Sequence, residues 1–341
     1  MELNNFIKMK EPWAYNFEFE CDDENYKKLE TFMRYFIYKT QADVPALQLK
    51  NTAEFIKKNF GYRPVYDPDG SNKSAYYQIV IEIYKHLWNW QRENDFAEVD
   101  KNIFDNCLFG PDTMNSVQNA LNLAVGANSL YKFVNKYYSC KNNDVDELGI
   151  KKDIKIKDIY AEKIWKEIVQ YIDWYHTLGN FVLVPAGFNN WRGRRNEIKD
   201  FWDLSLNYLK ENGTKINVKG IFDKSKFNEY INYFFLWDYV EHKDCDYIFK
   251  NISHNPCESG QSQFSLDFFG ETRKIIERRG RFMIAMLMLE QDLYKELQEW
   301  LVTKNDNGKL PFFDGVNDAA GKILDKFDDI PENAKKILEE I

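Results

Sequence analysis

Disulfides are the first thing this chain of 341 residues has little means to make. Its five cysteines, Cys21, Cys107, Cys140, Cys245 and Cys257, are odd in number and dispersed. That pattern points to a reducing compartment rather than a framework of bridges. No apolar run approaches the roughly 18 residues that suggest a membrane span. Residues Met1 to Glu20 alternate charge with aromatics instead of building the uninterrupted apolar core of a signal peptide. A cytoplasmic protein with no membrane partner is expected. No Pro- or Gly/Ser-rich linker and no internal repeat divides the chain. Basic charge is in deficit as well: the net charge of -8 excludes a surface coated overall for nonspecific DNA binding, though not a local basic groove.

Apolar and aromatic residues are plentiful. Hydrophobic residues make up 44%, with 26 Phe, 21 Tyr and 9 Trp, enough for a sizeable core. Helical spacing runs through Asn25 to Lys39, Ser74 to Asn94, Met114 to Tyr138, Ile159 to Tyr175, Lys199 to Lys210, Lys224 to Val240 and Glu271 to Thr303. Strand signals are few. Phe181 to Val184 is clear, whereas Lys215 to Val218 and Trp13 to Phe19 are weak. The expected fold is mainly α, a single helical domain over 1–341 or the same domain in two lobes, with a small β element around Phe181-Val184. Residues 105–285 form its motif-bearing core, and residues 316–341 form a C-terminal amphipathic helix broken at Pro331.

The densest chemistry lies between His176 and Asp203. Within these 28 positions stand His176, four Asn including Asn180, Asn189 and Asn190, three Arg, and both Asp200 and Asp203, all around the apolar run Phe181-Val182-Leu183-Val184. A short strand delivering polar groups through its flanking loops is how a rigid scaffold presents function. Taken singly, each residue has a structural explanation: His176 as a hydrogen-bonding staple, Asn189 and Asn190 as helix caps, Asp200 and Asp203 as partners of a helix dipole. Arginine is scarce and clustered. Seven of the ten lie in two windows, Arg192, Arg194 and Arg195, then Arg273, Arg278, Arg279 and Arg281. Arg offers a planar fork for phosphate or carboxylate, so an anion cleft built from Arg192, Arg195, Lys199, Arg278, Arg279 and Arg281 is expected. In that cleft the two windows should converge to within ~10 Å. The structural alternative pairs these arginines with Glu197, Asp200, Glu271 and Glu277. Upstream, Phe109 to Ser116 reads as a polar cluster at a helix start, with Asp112 or Thr113 as the cap and Asp112 and Asn115 as candidate ligand contacts.

Two His-x-x-Cys pairs, His242-Cys245 and His254-Cys257, are a candidate zinc site, since N and S donors suit a tetrahedral ion. The structural alternative is two ordinary loops, with Tyr247, Ile248 and Phe249 reading as core.

Gly179-Asn180-Phe181, Pro185, Asn189 to Gly193 and Lys199-Asp200-x-x-Asp203-Leu204-Ser205-Leu206 resemble the signature of an uncharacterised bacterial family. Asp112 to Ser116 and Arg279 to Met283 resemble its outlying motifs. The likeness covers about residues 105–285 and implies a shared fold and site without an established reaction. A more distant likeness is to the HNH-related nuclease domain of modification-dependent restriction enzymes, through His176-Thr177-Leu178-Gly179-Asn180 and Phe188-Asn189. It implies Asn180 as the central Asn and Asn189 beside a metal, magnesium or manganese. The acidic-His-aliphatic-x-Pro motif that supplies those nucleases with a water-activating His has no counterpart, and His86 falls within a helical pattern.

Together these features lead to a protein that acts on or binds a phosphate-containing ligand, nucleotide or nucleic acid. Its catalytic candidates are His176, Asn180, Asn189, Asp200 and Asp203, as in a nuclease-like enzyme of defence against mobile DNA. A non-catalytic binding protein that uses its Arg clusters for an acidic partner is the alternative, and a scaffold of structural ion pairs is the third.

Overall fold

The structure, a computed structural model, describes residues 2–17, 75–93, 96–100, 103–104, 107–115, 163–188, 201–216, 226–243, 246–250 and 265–341. The helical patterns expected at 25–39 and, for the most part, at 114–138 lie outside them. Among the described residues the fold is mainly α: nine helices and two small antiparallel sheets. In chain order the elements are α1 (Leu3–Ile7), α2 (Ala75–Trp88), β1 (Gln91–Glu93), β2 (Phe96–Glu98), β3 (Leu108–Thr113), α3 (Lys163–Tyr175), β4 (Phe181–Pro185), α4 (Trp202–Ile216) and α5 (Phe227–Tyr233). There follow β5 (Val240–Lys243), β6 (Asp246–Phe249), α6 (Ser265–Leu287), α7 (Gln291–Val302), α8 (Val316–Lys326) and α9 (Glu332–Glu339). Three single turns of 3-10 helix, Pro12–Ala14, Leu178–Asn180 and Trp237–Tyr239, lead into irregular chain, β4 and β5 respectively.

The strand read from Phe181 to Val184 is present and extends to Pro185, with all five residues buried. A strand covered on both faces needs no polar alternation, which is why its sequence is a continuous apolar run. Its partner β3 corrects the expected helix start at 109–116. Leu108–Thr113 is a strand, antiparallel to β4, with Asp112 opposite Val182 and Thr113 opposite Phe181. Gly110-Pro111 disguises it as a turn. Pro111 can sit in the ladder opposite Leu183 because a proline costs nothing at a position that donates no ladder hydrogen bond. The sheet order is β1-β2-β3-β4, while β5 and β6 form a separate hairpin.

Other boundaries moved for local reasons. The expected helix from Glu271 to Thr303 is two, α6 and α7, separated at Met288-Leu289-Glu290. Leu289, Tyr294, Leu297 and Leu301 continue the buried stripe across the break, so periodicity alone could not reveal it. The Ser74 to Asn94 pattern ends at Trp88, and Asn89 turns the chain with φ 47° into β1. The Lys224 to Val240 pattern holds only as far as Tyr233. There α5 closes in a Schellman arrangement, with Leu236 N donating to Ile231 O and Phe235 N to Asn232 O. Phe235 occupies the left-handed position at φ 58°, where glycine is usual. It is fixed there by packing on Trp88, Trp237 and Phe282. Of the two weak strand segments, Lys215 and Ile216 close α4, and Trp13 begins in the Pro12–Ala14 turn. The C-terminal pattern forms α8 and α9 with Pro331 between them, immediately before Glu332.

Buried residues from Phe6 to Leu338 belong to one hydrophobic cluster. Helix α6 is its axis: α3, the Leu178–Asn180 turn, α9, the Pro12–Ala14 turn, α8 and α2 all pack against it. The closest approach is backbone on backbone at Gly179, where a Cβ would lie 1.8 Å from Ile276 O and 2.9 Å from Gly280 N. Gly179→Ala should therefore prevent folding or cost at least about 3 kcal/mol through overpacking that backbone cannot relieve. Gly270→Ala, within α6 and with nothing within 4 Å of its Cβ position, should be neutral or gain up to ~1 kcal/mol in helix propensity. Thermal melts of the two variants check the contrast.

Candidate functional site

Helix α3 ends at Tyr175, and the chain then passes through His176-Thr177 and the Leu178–Asn180 turn into β4. This is the segment singled out by sequence, and Asn180 is its hub. The Asn180 carboxamide is 0% exposed and fully bonded. Its Oδ1 accepts from Trp202 Nε1 at 2.8 Å and from Asn115 N at 3.3 Å, and its Nδ2 donates to Asn115 O at 2.9 Å and Tyr175 O at 2.6 Å. Asn115 Oδ1 in turn accepts from Trp202 N at 3.2 Å, satisfying the first amide of α4. The end of β3, the end of α3 and the start of α4 are thus tied to one side chain.

Arg279 is the second hub. It too is 0% exposed, and its guanidinium bonds only to carbonyls among the described residues. Nη1 donates to Gly179 O at 2.8 Å and Phe181 O at 2.7 Å, while Nε and Nη2 both donate to Phe234 O at 3.1 and 3.0 Å. Its plane lies over the Trp202 ring, 5.3 Å to the centroid. Phe234 follows the last residue of α5, so the cation sits at the negative end of that helix. Phe181 O belongs to β4, the outermost of the described strands of its sheet. Together with the Tyr230 hydroxyl, which donates to Leu183 O at 2.8 Å, Arg279 supplies the donors that a further strand would have supplied.

The remaining candidates have distinct places. His176 is 3% exposed, edge-on to Phe181 at 5.1 Å, and its backbone carbonyl accepts from Phe17 N. Asp112 is 4% exposed on β3. Asp203 is buried in the first turn of α4, where its Oδ1 accepts from Leu204 N at 2.9 Å. Asp112, Asn115, His176, Asn180, Asp203 and Arg279 are therefore all interior, so the sequence picked out the polar interior of the fold rather than an open cleft. The second arginine window does not make one anion patch either. Residues 278 and 279 diverge by about 100° around a helix, and each arginine has its own partner. Arg273 bonds Gln170 and Glu167, Arg278 bonds Asp238 at 2.8 Å, and Arg281 bonds Glu277 at 2.9 Å while stacking on Trp13. Of the pairings expected on the structural alternative, Arg281–Glu277 is present. The other window, Arg192, Arg194 and Arg195, lies outside the described residues with Asn189, Asn190, Lys199 and Asp200, so the expected convergence has no measured distance.

His242 is exposed on β5, with its ring stacked on Phe312 at 4.2 Å, while its expected zinc partners Cys245, His254 and Cys257 lie outside the described residues. Among the described residues no group of three His, Cys, Asp or Glu could hold a metal. Tyr247 is buried as expected, but Ile248 is 38% exposed.

Sequence reading missed a second carboxamide hub. Asn232 Nδ2 donates to Leu301 O and Pro311 O, and its Oδ1 accepts from Trp237 Nε1 and Tyr247 Oη, each at 2.8–2.9 Å. It also missed Asp238, which accepts from Arg278 and from Val316 N at the start of α8. An Asn and an Asp inside aromatic runs were the only available signal. A cleft of about 370 Å³ lies between α5 and α7, lined by Lys226, Glu229, Lys295 and Glu299 among others. None of these residues stood out in the sequence.

Burial raises the phenols of Tyr230, Tyr233, Tyr239, Tyr247 and Tyr294 well above their ordinary value of 10.0. A phenol raised in the folded state favours folding below its unfolded value, and that contribution is lost as pH rises toward the folded value. Arg279 acts in the opposite direction. Burial lowers it to about 10, so from there up to the ordinary guanidinium value the folded state binds fewer protons and gains stability with pH. Five phenols outweigh one guanidinium. Alkaline titration should therefore show cooperative unfolding above about pH 10, with the buried tyrosines ionising only as the fold is lost. Absorbance at 295 nm followed alongside circular dichroism checks this. Gradual ionisation of every tyrosine in a folded protein would refute it.

No family model, curated protein or solved structure matches this chain. The likenesses of residues 105–285 rest on their motif residues alone.

Proposed function

We propose that this protein binds a phosphate-bearing ligand, a nucleotide or nucleic acid, through residues 189–200. The observation behind this reading is what flanks that segment. It is flanked by Phe188, 0% exposed, and by Phe201 and Trp202, 1% and 2% exposed, with Trp202 held by Asn180 and Asn115. Between those residues stand Asn189, Asn190, Arg192, Arg194, Arg195 and Lys199, against two acidic residues, Glu197 and Asp200, in a chain of net charge -8. Binding residues concentrate in segments that a rigid scaffold flanks, and the arginine fork suits phosphate. Arg192, Arg195 and Lys199 are the anion contacts in this reading, and Asn180, Asn115 and Arg279 are positioning residues.

Binding is favoured over catalysis because both polar ends of Asn180 are already bonded within the protein. A carboxamide so committed can act on a metal or a substrate only by breaking the ties that seat α4. Magnesium- or manganese-dependent nuclease chemistry through His176, Asp200 and Asp203 is therefore the subordinate reading, and defence against mobile DNA is its setting.

Titration with pyrophosphate, ATP and a single-stranded oligonucleotide tests the proposal. Arg192→Ala with Arg195→Ala should weaken binding at least about tenfold, since each charge-assisted bond is worth ~1.5–3 kcal/mol, and should leave Tm unchanged. Unaltered affinity, or no saturable binding by the parent protein, would sink it. Hydrolysis of any of the three with manganese, lost on His176→Ala or Asp200→Ala in a folded variant, would restore the enzyme reading.

A further inference from the structure

On the segments that bring together the stacked rings of Trp202 and Tyr239, 4.3 Å apart, four buried polar groups find no hydrogen-bond partner among the described residues. They are Asn115 Nδ2, Ser205 Oγ, Tyr239 Oη and Thr272 Oγ1, and none of these residues is more than 2% exposed. Their places are close in the fold. Asn115 is bonded through Oδ1 to Trp202 N, and Ser205 lies one turn further along α4. Tyr239 is itself half of the stack. Thr272 lies on the face of α6 between Phe268, which meets Phe201 edge-on at 5.4 Å, and Arg279, which covers Trp202. Residues 268, 272 and 279 share that face by helical spacing.

A buried polar group without a partner keeps its full desolvation cost, and folded proteins carry few of them. Several around one aromatic stack call for a common explanation. We infer that the space between α4, α6 and Tyr239 holds a small, neutral, hydrogen-bonded guest: either ordered water or the hydroxyl or amide group of a bound small molecule. Neutrality follows from the lining, three hydroxyls and one carboxamide N–H. The charges that act on Tyr239 are committed elsewhere: Arg279 to carbonyls, and Arg278 and Asp238 to each other. A guest with two to four polar neighbours is what a buried water or polar ligand group requires. This inference does not depend on the anion contacts proposed at 189–200.

Ser205→Ala, Thr272→Val and Tyr239→Phe each delete one hydroxyl and keep the local shape. With a guest bonded to them, each variant lowers Tm by about 2 °C or more, while pyrophosphate titrates as in the parent protein. A dry site gives the opposite sign, because removing an unsatisfied hydroxyl relieves a cost; a raised or unchanged Tm in these variants overturns the inference. Should Tyr239→Phe disturb the stack itself, the Ser205 and Thr272 variants carry the test. Oxygen-17 magnetic relaxation dispersion of the parent protein identifies long-lived buried water. Native mass spectrometry identifies a bound molecule whose added mass is lost in Ser205→Ala. Neither signal in a parent protein that passes the melting test would also overturn it.

Discussion

A charged guanidinium sealed in the interior, with no carboxylate partner among the described residues, is the constraint on which this structure depends. Desolvating a charge costs several kcal/mol even after a protein relaxes around it. Arg279 offsets that cost with four bonds to the carbonyls of Gly179, Phe181 and Phe234. Each carbonyl solves a local problem. Phe181 O lies on the outermost described strand of its sheet, Phe234 O caps α5, and Gly179 O belongs to the tightest crossing with α6. Only arginine reaches three such acceptors at once, because its donors are spread over a rigid fork. The same bonds fix where β4 begins, and hence where Asn180 stands.

From Asn180 the order passes outward. Its carboxamide aligns the ends of α3 and β3 with the start of α4, and Asn232 performs the equivalent task for α5, α7 and β6. Each uses all four of its bonding positions, and each accepts an indole N–H, from Trp202 and Trp237 respectively. Fully satisfied carboxamides of this kind specify one arrangement of otherwise interchangeable apolar surfaces, since any slip would leave buried donors bare. In the proposed function, the first hub fixes Trp202, close after the residues 189–200 assigned to the anion.

Much of this was legible in the residues. The apolar run from Phe181 to Val184 is a strand, the helical spacings around Lys163–Tyr175 and Trp202–Ile216 are helices, and Asn115, His176, Asn180, Asp203 and Arg279 do gather in one region. What sequence could not show is the direction those polar groups face. Periodicity reports burial for apolar residues, but a polar residue reads as exposed until its partners are known. Asn180 and Arg279 looked like a cleft because their partners are backbone carbonyls, which leave no mark on a sequence. Strand β3 was hidden by Gly110 and Pro111, and the break between α6 and α7 was hidden by a buried stripe that continues across it. The partner of Arg278 likewise comes from a distant element, Asp238, whereas Arg281 pairs with Glu277 one turn away in its own helix, as its spacing offered.

The most direct measurement is the chemical denaturation of Arg279→Met against Arg279→Lys and the parent protein. Methionine fills the volume and removes the desolvated charge, but it leaves the carbonyls of Gly179, Phe181 and Phe234 without donors. Lysine keeps a charge on a shorter, flexible stem with fewer donors. Both variants should lose about 3–5 kcal/mol, with Trp202 becoming more accessible to quenchers as its seat loosens. A methionine variant as stable as the parent protein, with Trp202 still shielded, would contradict the account by showing that packing alone closes β4 and α5.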